Sequence, residues 1–385
     1  MTQVIFTERW DYMKVVAAID SFKGSMTSME AGNAVKKGIL AAKPDAEVWL
    51  SPLADGGEGT VDALIEGLGA EKIPVTVAGP LGEKVSCYYG FLEETKTAVM
   101  EMASAAGITL VIKKDPLRAS TYGVGEMIAD ALKRGCKNFM IGIGGSATND
   151  GGIGMLKALG FEFFDEDGND VGEGAAALAK IEVIRTENKN PLLSGAKFQI
   201  ACDVKNPLCG KQGATYIFGP QKGVTEEQKE QVDEAMRHYA DVTKESLDCD
   251  FADCEGAGAA GGLGYAFLSY LAGELIPGVE LILQATGLEE KMKNADVVVT
   301  GEGRLDAQTV MGKAPAGVAA LAKKYNAKVI AFAGSVAPEA KVCNRAGIDA
   351  FFPIVRGVTT LEEAMKKENA MENIAAMAEQ VFRLL

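Results

Sequence analysis

A glycine-rich stretch follows a short apolar run near the middle of the chain. Residues 138–141 read NFMI, which is typical of a buried strand, and residues 142–154 read GIGGSATNDGGIG. Residues 155–160 then predict a short helix that ends at Gly160. A strand, a glycine-rich turn and a helix in this order direct backbone N–H groups and the positive end of a helix dipole toward one point. The pattern favours a bound phosphate, and a tight turn without a ligand is the alternative.

The charge balance narrows the choice of partners. The chain has 385 residues and a net charge of −14. Nucleic acids and anionic membranes attract basic surfaces, so we expect neither as a partner, whereas a local cationic pocket for a small anion is compatible with this charge. The length predicts two domains or one large one.

Cysteine and histidine usage limits the chemistry further. The seven cysteines are scattered without a C-x-x-C pair, which predicts neither a disulfide framework nor a zinc site and favours a reducing cytoplasm. The one histidine, His238, lies in the charged segment 226–247, whose apolar residues recur at helical spacing, so we expect it to be solvated. Without a histidine for a triad, proton chemistry falls to Asp, Glu or Lys.

Neither a leader nor a membrane span is predicted. Residues 1–12 include Glu8, Arg9 and Asp11 and lack a long apolar core, and Met13 is an alternative start. Residues 256–273 are uncharged but contain six glycines and few large apolar side chains. We therefore expect a helix packed closely within the protein there.

Strand and helix patterns alternate at both ends of the chain but not in its middle. Near residue 79 they give way to a predicted antiparallel hairpin of residues 85–91 and 98–102, and the alternation resumes near residue 295. We predict an α/β fold with two dissimilar domains and the active site in the cleft between them. A Rossmann-like domain with a parallel sheet comprises residues 13–78 and 295–385, an inserted mixed α/β domain comprises residues 79–294, and residues 1–12 form an N-terminal extension.

Five acidic loops follow predicted strands. Four combine Asp or Glu with glycine, at residues 20–25, 54–59, 142–154 and 300–306, and the fifth, at 203–208, lacks the glycine run. For a single Asp, a helix cap or a turn is the alternative interpretation. Gathered carboxylates interleaved with lysine and arginine suit phosphoryl transfer, in which one carboxylate accepts a hydroxyl proton and others bind Mg²⁺.

Two segments loosely match a dinucleotide-binding fingerprint. One begins at Gly142 after a predicted strand, and the other begins at Gly256 without a strand before it. The first loop is longer than the fingerprint, so an NAD-dependent dehydrogenase of small hydroxy acids is the weaker alternative. A regulator that binds a nucleotide or sugar acid without turnover is a third. Walker-A and protein-kinase motifs are absent.

Five motifs together resemble those of the bacterial type-I glycerate kinase family. In family order they are DSFKGS (20–25), PLADGGEGT (52–60), GIGGSATNDGG (142–152), DVKNPL (203–208) and TGEGRLDAQT (300–309). The resemblance covers the chain from about residue 13 and implies ATP- and Mg²⁺-dependent phosphorylation of D-glycerate. It also implies two α/β domains, one of them built from both chain ends. The bacterial family more often resembles a glycerate 2-kinase. The motifs do not show which hydroxyl oxygen of glycerate faces the γ-phosphate, so 3-phosphoglycerate stays the alternative product.

The positions of individual residues suggest roles in this reaction. Asp203 directly follows a strand and stands two residues before Lys205, so we predict that it is the catalytic base. Asp306 is the rival candidate, and Asp20 belongs to the same catalytic set. Lys23 is predicted to bind the substrate carboxylate or the transferred phosphate as a point charge.

The remaining predicted site residues concern the nucleotide and the metal. We expect Asp55 or Asp150 to hold Mg²⁺ or simply to brace its loop. The residues expected to bind the ATP phosphates are Gly144, Gly145, Ser146 and Asn149.

Overall fold

The computed structural model describes residues 12–54 and 60–385. The chain divides into two compact units, one of Met1–Ala54 with Leu283–Leu385 and one of Asp55–Ile282. Whether residues 13–78 with 295–385, and residues 79–294, behave as separate folding domains stays a prediction.

Thirteen strands occur in the described residues. They are β1 (Lys14–Ile19), β2 (Glu47–Pro52), β3 (Glu71–Ala78), β4 (Lys84–Leu92), β5 (Thr97–Glu101), β6 (Asn138–Gly142), β7 (Glu162–Phe164), β8 (Val183–Arg185), β9 (Lys197–Ala201), β10 (Glu274–Ile276), β11 (Val297–Leu305), β12 (Lys328–Val336) and β13 (Ala350–Pro353).

The same residues form fifteen α-helices. They are α1 (Ser28–Ala42), α2 (Thr60–Leu68), α3 (Ala103–Ala106), α4 (Tyr122–Lys133), α5 (Ile153–Ala158), α6 (Ala175–Leu178), α7 (Ala214–Lys222), α8 (Lys229–Leu247), α9 (Leu263–Leu271), α10 (Gly278–Ala285), α11 (Leu288–Met292), α12 (Ala314–Lys323), α13 (Val342–Arg345), α14 (Leu361–Met365) and α15 (Lys367–Phe382). None of these described helices is both long and apolar enough to cross a bilayer.

The unit that contains both chain ends is built on a parallel sheet. Its strand order is β13-β12-β11-β1-β2, and all neighbours are parallel. The runs of valine in β1 and β11 are buried, as expected for strands covered on both faces. The spacing of Thr27 and Glu30 predicts a capping box, and helix α1 begins with one: the Thr27 hydroxyl accepts from Glu30 N–H at 3.2 Å and the Glu30 carboxylate accepts from Thr27 N–H at 2.9 Å.

The other unit contains a mixed sheet of six strands in the order β10-β9-β6-β5-β4-β3. The predicted hairpin is present, because β4 and β5 pair antiparallel, and β5, β6, β9 and β10 run parallel. Strand β3 was not predicted, since it includes Pro74 and has a largely exposed edge-strand pattern. It pairs with β4 along eight residues, so residues 71–78 belong to this sheet although the predicted boundary at residue 79 separates them from it. The predicted α/β class, with one parallel and one mixed sheet, is confirmed.

The predicted loop at residues 300–306 is wrong. Strand β11 continues to Leu305 and pairs with β12 as far as Leu305↔Val336. Its glycine serves close packing: a Cβ on Gly301 would lie 2.2 Å from the carbonyl oxygen of Phe332 on the neighbouring strand. Glycine is therefore needed within the sheet at this position, and the stretch is strand rather than turn.

The glycine-rich segment 256–264 is a connection that leads into α9. A Cβ would lie 2.2 Å from the Pro207 carbonyl at Gly258 and 2.2 Å from the Thr148 carbonyl at Gly261. The backbone also bonds to both neighbours, through Gly258 N–H to Asn206 O at 3.0 Å and through Gly151 N–H to Gly261 O at 2.9 Å. The segment thus joins the loop after β6 to the loop after β9.

Candidate active site

A cavity of about 360 Å³ opens where the parallel strands β6 and β9 end. The carboxyl ends of parallel strands are the usual place for a ligand in α/β proteins. Its polar and charged walls come from the turn after β6, the turn after β9 and the last turn of α7. The residues that these three elements contribute include Gly144, Gly145, Ser146, Cys202, Asp203, Phe218, Gln221 and Lys222.

The turn after β6 presents bare backbone to this cavity. Gly144 and Gly145 are exposed, and Gly145 has φ of 74°, which favours glycine. A Cβ built on Gly144 meets no atom within 4 Å. Packing therefore does not demand glycine at position 144, whereas the close approach of a ligand would. Three of the four predicted phosphate-binding residues, Gly144, Gly145 and Ser146, line the cavity together.

Asn149 lies in the interior and does not line the cavity. Its side chain is fully buried, and its amide nitrogen donates to the Thr215 hydroxyl at 3.0 Å near the start of α7. This contact ties the loop after β6 to α7, so the described geometry suits a structural role for Asn149.

Asp150 is also fully buried, and its carboxylate is occupied by neighbouring donors. Oδ2 accepts from the backbone N–H and the hydroxyl of Thr121 at 2.8 Å each and from Gly154 N–H at 3.3 Å, while Oδ1 accepts from Gly152 N–H at 3.1 Å. Burial raises its pKa against the effect of these bonds. Of the two predicted roles, metal ligand or brace, these contacts favour the brace.

The same contacts occupy the N–H groups at the amino end of helix α5. Helix α5 begins at Ile153, and the N–H groups of Gly152 and Gly154 at its start donate to Asp150. A carboxylate of the chain itself therefore occupies the amino end of α5. The part of the loop that remains for a ligand is the Gly144–Gly145 turn, which lies eight or more residues before the first residue of α5.

Asp203 is exposed and faces the cavity from the end of β9. Its Oδ1 accepts from Gly278 N–H at 2.9 Å, which fixes the carboxylate at the start of α10. The predicted partnership with Lys205 is not found in the described geometry, because Lys205 pairs with Glu255 at 3.0 Å and both side chains are exposed. Asp203 therefore lies where a base would be needed, and the ammonium of Lys205 pairs with Glu255 instead.

Lys222 was missed by the sequence analysis. It is 2% exposed, and its ammonium donates to the Ser146 hydroxyl at 2.6 Å and to the Thr148 carbonyl at 2.7 Å. Burial lowers its pKa to about 7, against the attraction of Asp150. One signal was available in the sequence: Lys222 is the one charged residue of α7, and it directly precedes a glycine.

The predicted residues near β1 belong to the unit with both chain ends. Asp20 directly follows β1, is 7% exposed, and accepts from Ser21 N–H at 2.7 Å. Lys23 is exposed in a tight turn that is closed by the backbone bond from Phe22 N–H to Met26 O at 3.0 Å. Asp20 N–H also donates to Gly301 O at 2.9 Å, so Asp20 lies beside β11.

Asp306 caps a short 3-10 helix, Ala307–Val310. Its carboxylate accepts from Gln308 N–H at 2.8 Å, and its own N–H donates to the Thr309 hydroxyl at 3.2 Å. The cap uses one carboxylate oxygen of Asp306, just as Gly278 N–H uses one oxygen of Asp203. The geometry supports Asp203 better as a base because Asp203 lines the cavity together with the Gly144–Gly145 turn. His238, expected to be solvated, is half-buried with Nε2 2.8 Å from the Ile181 carbonyl.

The buried carboxylate of Glu302 was also missed. It is 8% exposed, accepts from the Thr309 hydroxyl at 2.6 Å, and lies 3.5 Å from the Lys313 ammonium. Burial raises its pKa despite these contacts. The predicted metal residue Asp55 lies outside the described residues. Among residues 12–54 and 60–385 no group of three or more His, Cys, Asp or Glu side chains forms a metal site.

A glycine turn, a carboxylate and an ammonium around one strand-end cavity are typical of an enzyme that binds a phosphorylated ligand. Comparison with known proteins agrees with this class. The model of the glycerate kinase family matches residues 15–385, and the chain belongs to this family. The family predicted from the five motifs is therefore confirmed.

Individual relatives match over almost their whole length. A glycerate kinase of Halalkalibacterium halodurans is 46% identical over 371 residues, which cover 94% of this chain and 98% of the relative. A glycerate 2-kinase of Escherichia coli is 44% identical over 375 residues, with coverage of 97% and 98%. A crystal structure of a protein assigned as glycerate kinase 2 in Salmonella typhimurium LT2 has a TM-score of 0.89 and 42% identity, covering 97% of this chain and 98% of that one.

Proposed function

We propose that this chain transfers the γ-phosphate of ATP to D-glycerate. Membership of the glycerate kinase family and relatives named glycerate kinase support this activity. The observation that supports a particular site for this activity is that Asp203 faces the same cavity as the Gly144–Gly145 turn. A base and a phosphate cradle must share one cavity if a hydroxyl is to attack a bound phosphate.

In this reaction the substrate hydroxyl oxygen attacks the γ-phosphorus, and the bond from that phosphorus to the β–γ bridging oxygen breaks. ADP leaves, and the hydroxyl proton passes to the Asp203 carboxylate. Backbone N–H groups of Gly144 and Gly145 and the Ser146 hydroxyl bind nucleotide phosphates. We retain Lys23 and Asp20 as proposed substrate-side residues on the strength of the family motif.

Mg²⁺ is part of the proposal. The ion is commonly held by the phosphates and by one or two carboxylates, with water completing its shell, so it does not need a cage of side chains. Asp203 is assigned to the base, and the oxygens of Asp150 already accept four hydrogen bonds. Asp55, the other predicted metal residue, lies outside the described residues. The ion would neutralise charge on the transferred phosphoryl group.

The scattered, unpaired cysteines suit the reducing cytoplasm that we propose as the location.

The activity is tested with purified protein by glycerate-dependent release of ADP that requires Mg²⁺. A glycerate-dependent change in NAD(H) absorbance without ADP release would instead indicate a dehydrogenase. Calorimetric binding of nucleotide and glycerate without ADP release would indicate a regulator.

We further propose that the product is 2-phosphoglycerate. The name of the Escherichia coli relative supports this choice. The two products differ in which hydroxyl faces the γ-phosphate. The product is therefore coupled to enolase without phosphoglycerate mutase, because enolase consumes 2-phosphoglycerate directly. Signal that appears only after the mutase is added would assign the 3-phosphate.

A further inference from the structure

Lys222 is a buried cation to which the proposed reaction assigns no role. It ends α7 and reaches the loop after β6, 76 residues away in the chain, where it donates to the Ser146 hydroxyl. Its second hydrogen-bond acceptor is the Thr148 carbonyl at 2.7 Å. Lys222 also forms part of the cavity wall, next to the exposed Gly144 and Gly145.

A purely structural role does not require a charge at this position. Both hydrogen-bond acceptors of Lys222 are neutral, and a neutral donor could satisfy them. Asp150 attracts the ammonium electrostatically, but its carboxylate already accepts four other hydrogen bonds. Burying an ammonium in such a place opposes folding, a cost that a neutral hydrogen-bond donor would avoid.

The other charged group of the cavity has the opposite effect on a bound phosphate. Among the cavity-lining residues, all of which the structure describes, Asp203 and Lys222 are the charged ones. Asp203 suits a proton acceptor and repels a phosphate, whereas Lys222 attracts one. The protein as a whole has a net charge of −14, so an anion needs a placed cation to bind here.

We propose that Lys222 is the cation that binds a nucleotide phosphate in this cavity and that it holds Ser146 and the adjoining turn in position for the same phosphate. The inference rests on the proposed use of this cavity for ATP. An anion beside the ammonium replaces the solvation that burial removes, so ligand binding and protonation of Lys222 favour each other.

The pH dependence has a definite sign. Asp150 from the loop after β6 is the charged group that acts on the Lys222 ammonium, Asp203 is the other charged residue in the cavity lining, and the segment of Ala259 and Ala260 adds none. Burial lowers the pKa of Lys222 to about 7. Phosphate affinity is therefore full while Lys222 is protonated and declines as pH rises past this value.

The experiment measures ADP affinity by calorimetry from about pH 6 to about pH 9, without turnover, in the full-length wild type and in Lys222→Arg, Lys222→Met and the exposed control Lys211→Met. We expect Lys222→Met to weaken ADP binding by roughly tenfold or more, since charge-assisted hydrogen bonds are the strong ones. Lys222→Arg should retain most of the affinity and lose the decline above neutral pH, because arginine stays charged. The titration of ADP itself is common to all variants and cancels in the comparison.

Unchanged ADP affinity in a folded Lys222→Met protein, or parallel pH profiles in the wild type and Lys222→Arg, would overturn the proposal. If neither variant folds, NMR of the Lys222 side chain in wild-type protein decides, because its pKa must rise when ADP binds and an unchanged pKa refutes the role. Wild-type turnover of glycerate is measured separately. Turnover with a negative Lys222 result removes this inference alone, whereas absence of both turnover and ADP binding removes the proposed function.

Discussion

Two glycine-containing stretches look alike in sequence and differ in structure. Residues 142–154 leave β6 and form a turn on a cavity, whereas residues 300–305 remain in β11 within the parallel sheet. A Cβ at Gly144 would meet nothing within 4 Å, while one at Gly301 would lie 2.2 Å from a backbone oxygen. Glycine thus leaves space for a ligand in one stretch and for a neighbouring strand in the other.

Each stretch also lies beside a buried charge, of opposite sign. Lys222 contacts the first through Ser146, and Glu302 belongs to the second. Burial shifts both groups toward their neutral forms, lowering the pKa of Lys222 and raising that of Glu302. The exposed carboxylate Asp203 lies on the cavity, as the first stretch does. The helix cap Asp306 directly follows the second stretch, which belongs to the parallel sheet.

The largest expected effect tests which side holds the catalytic base. Asp203→Asn should lower kcat by about two to four orders of magnitude with little change in KM for ATP, because the amide cannot accept the hydroxyl proton. Asp306→Asn should be milder. Steady-state ADP release measures both, with the exposed Asp167→Asn as the control. The reverse ranking would move the role to Asp306, and near-normal kcat in both would mean that positioning alone carries the reaction.

The second prediction concerns stability and the buried charge on the cavity side. The pKa of Lys222 is lowered from 10.5 to about 7, so between these values the unfolded chain binds more protons than the folded protein. The free energy of unfolding should therefore rise with pH across this window and be lowest below about pH 7, by on the order of a few kcal/mol. Denaturant unfolding of wild type and Lys222→Met, without nucleotide, measures it. Identical pH slopes in the two proteins would contradict it.

The third prediction tests the two uses of glycine directly. Gly301→Ala should destabilise the protein by about 1 to 3 kcal/mol, because the Cβ forces two strands apart. Gly144→Ala should change stability by less than about 0.5 kcal/mol while weakening ADP binding. Chemical denaturation and calorimetry on the same pair of variants give both quantities. Equal destabilisation would mean that position 144 is also packed.

The smallest effect concerns the helix cap. Asp306→Ala should reduce the free energy of unfolding by about 1 kcal/mol, the usual value of an N-cap. Arg304 lies 3.7 Å from Asp306 with 67% of its side chain exposed, so Arg304→Ala should cost less than about 0.5 kcal/mol. Urea titration compares them. A neutral Asp306→Ala variant would remove the structural explanation and restore this residue as a candidate for catalysis.

Local patterns predicted much of the fold. Buried runs of valine and the capping box at Thr27 depend on neighbouring residues, and both were visible in the sequence. Strand β3 was not predicted because Pro74 and the exposed residues of this edge strand obscure its strand pattern. The extent of β11 depends on pairing with β12, which no local pattern encodes.

The site was less predictable because it depends on burial. Asp150 and Asp203 both follow strands in acidic loops, yet one is fully buried behind four hydrogen bonds and the other is exposed on the cavity. Lys222 reaches Ser146 across 76 residues of chain, and only the folded structure brings them together. Lys205 stands two residues from Asp203 in sequence but pairs with Glu255.

The glycine-rich segment 256–264 has a consequence for how this site can diverge. A Cβ on Gly261 would lie 2.2 Å from the Thr148 carbonyl in the loop after β6, and one on Gly258 would lie 2.2 Å from the Pro207 carbonyl in the loop after β9. The spacing of these two loops therefore depends on main-chain contacts with the segment, which a side chain at Gly258 or Gly261 would disrupt. Selection can change ligand preference through Ile108 or Phe218, whose side chains line the cavity, while that spacing is inherited as a fixed dimension.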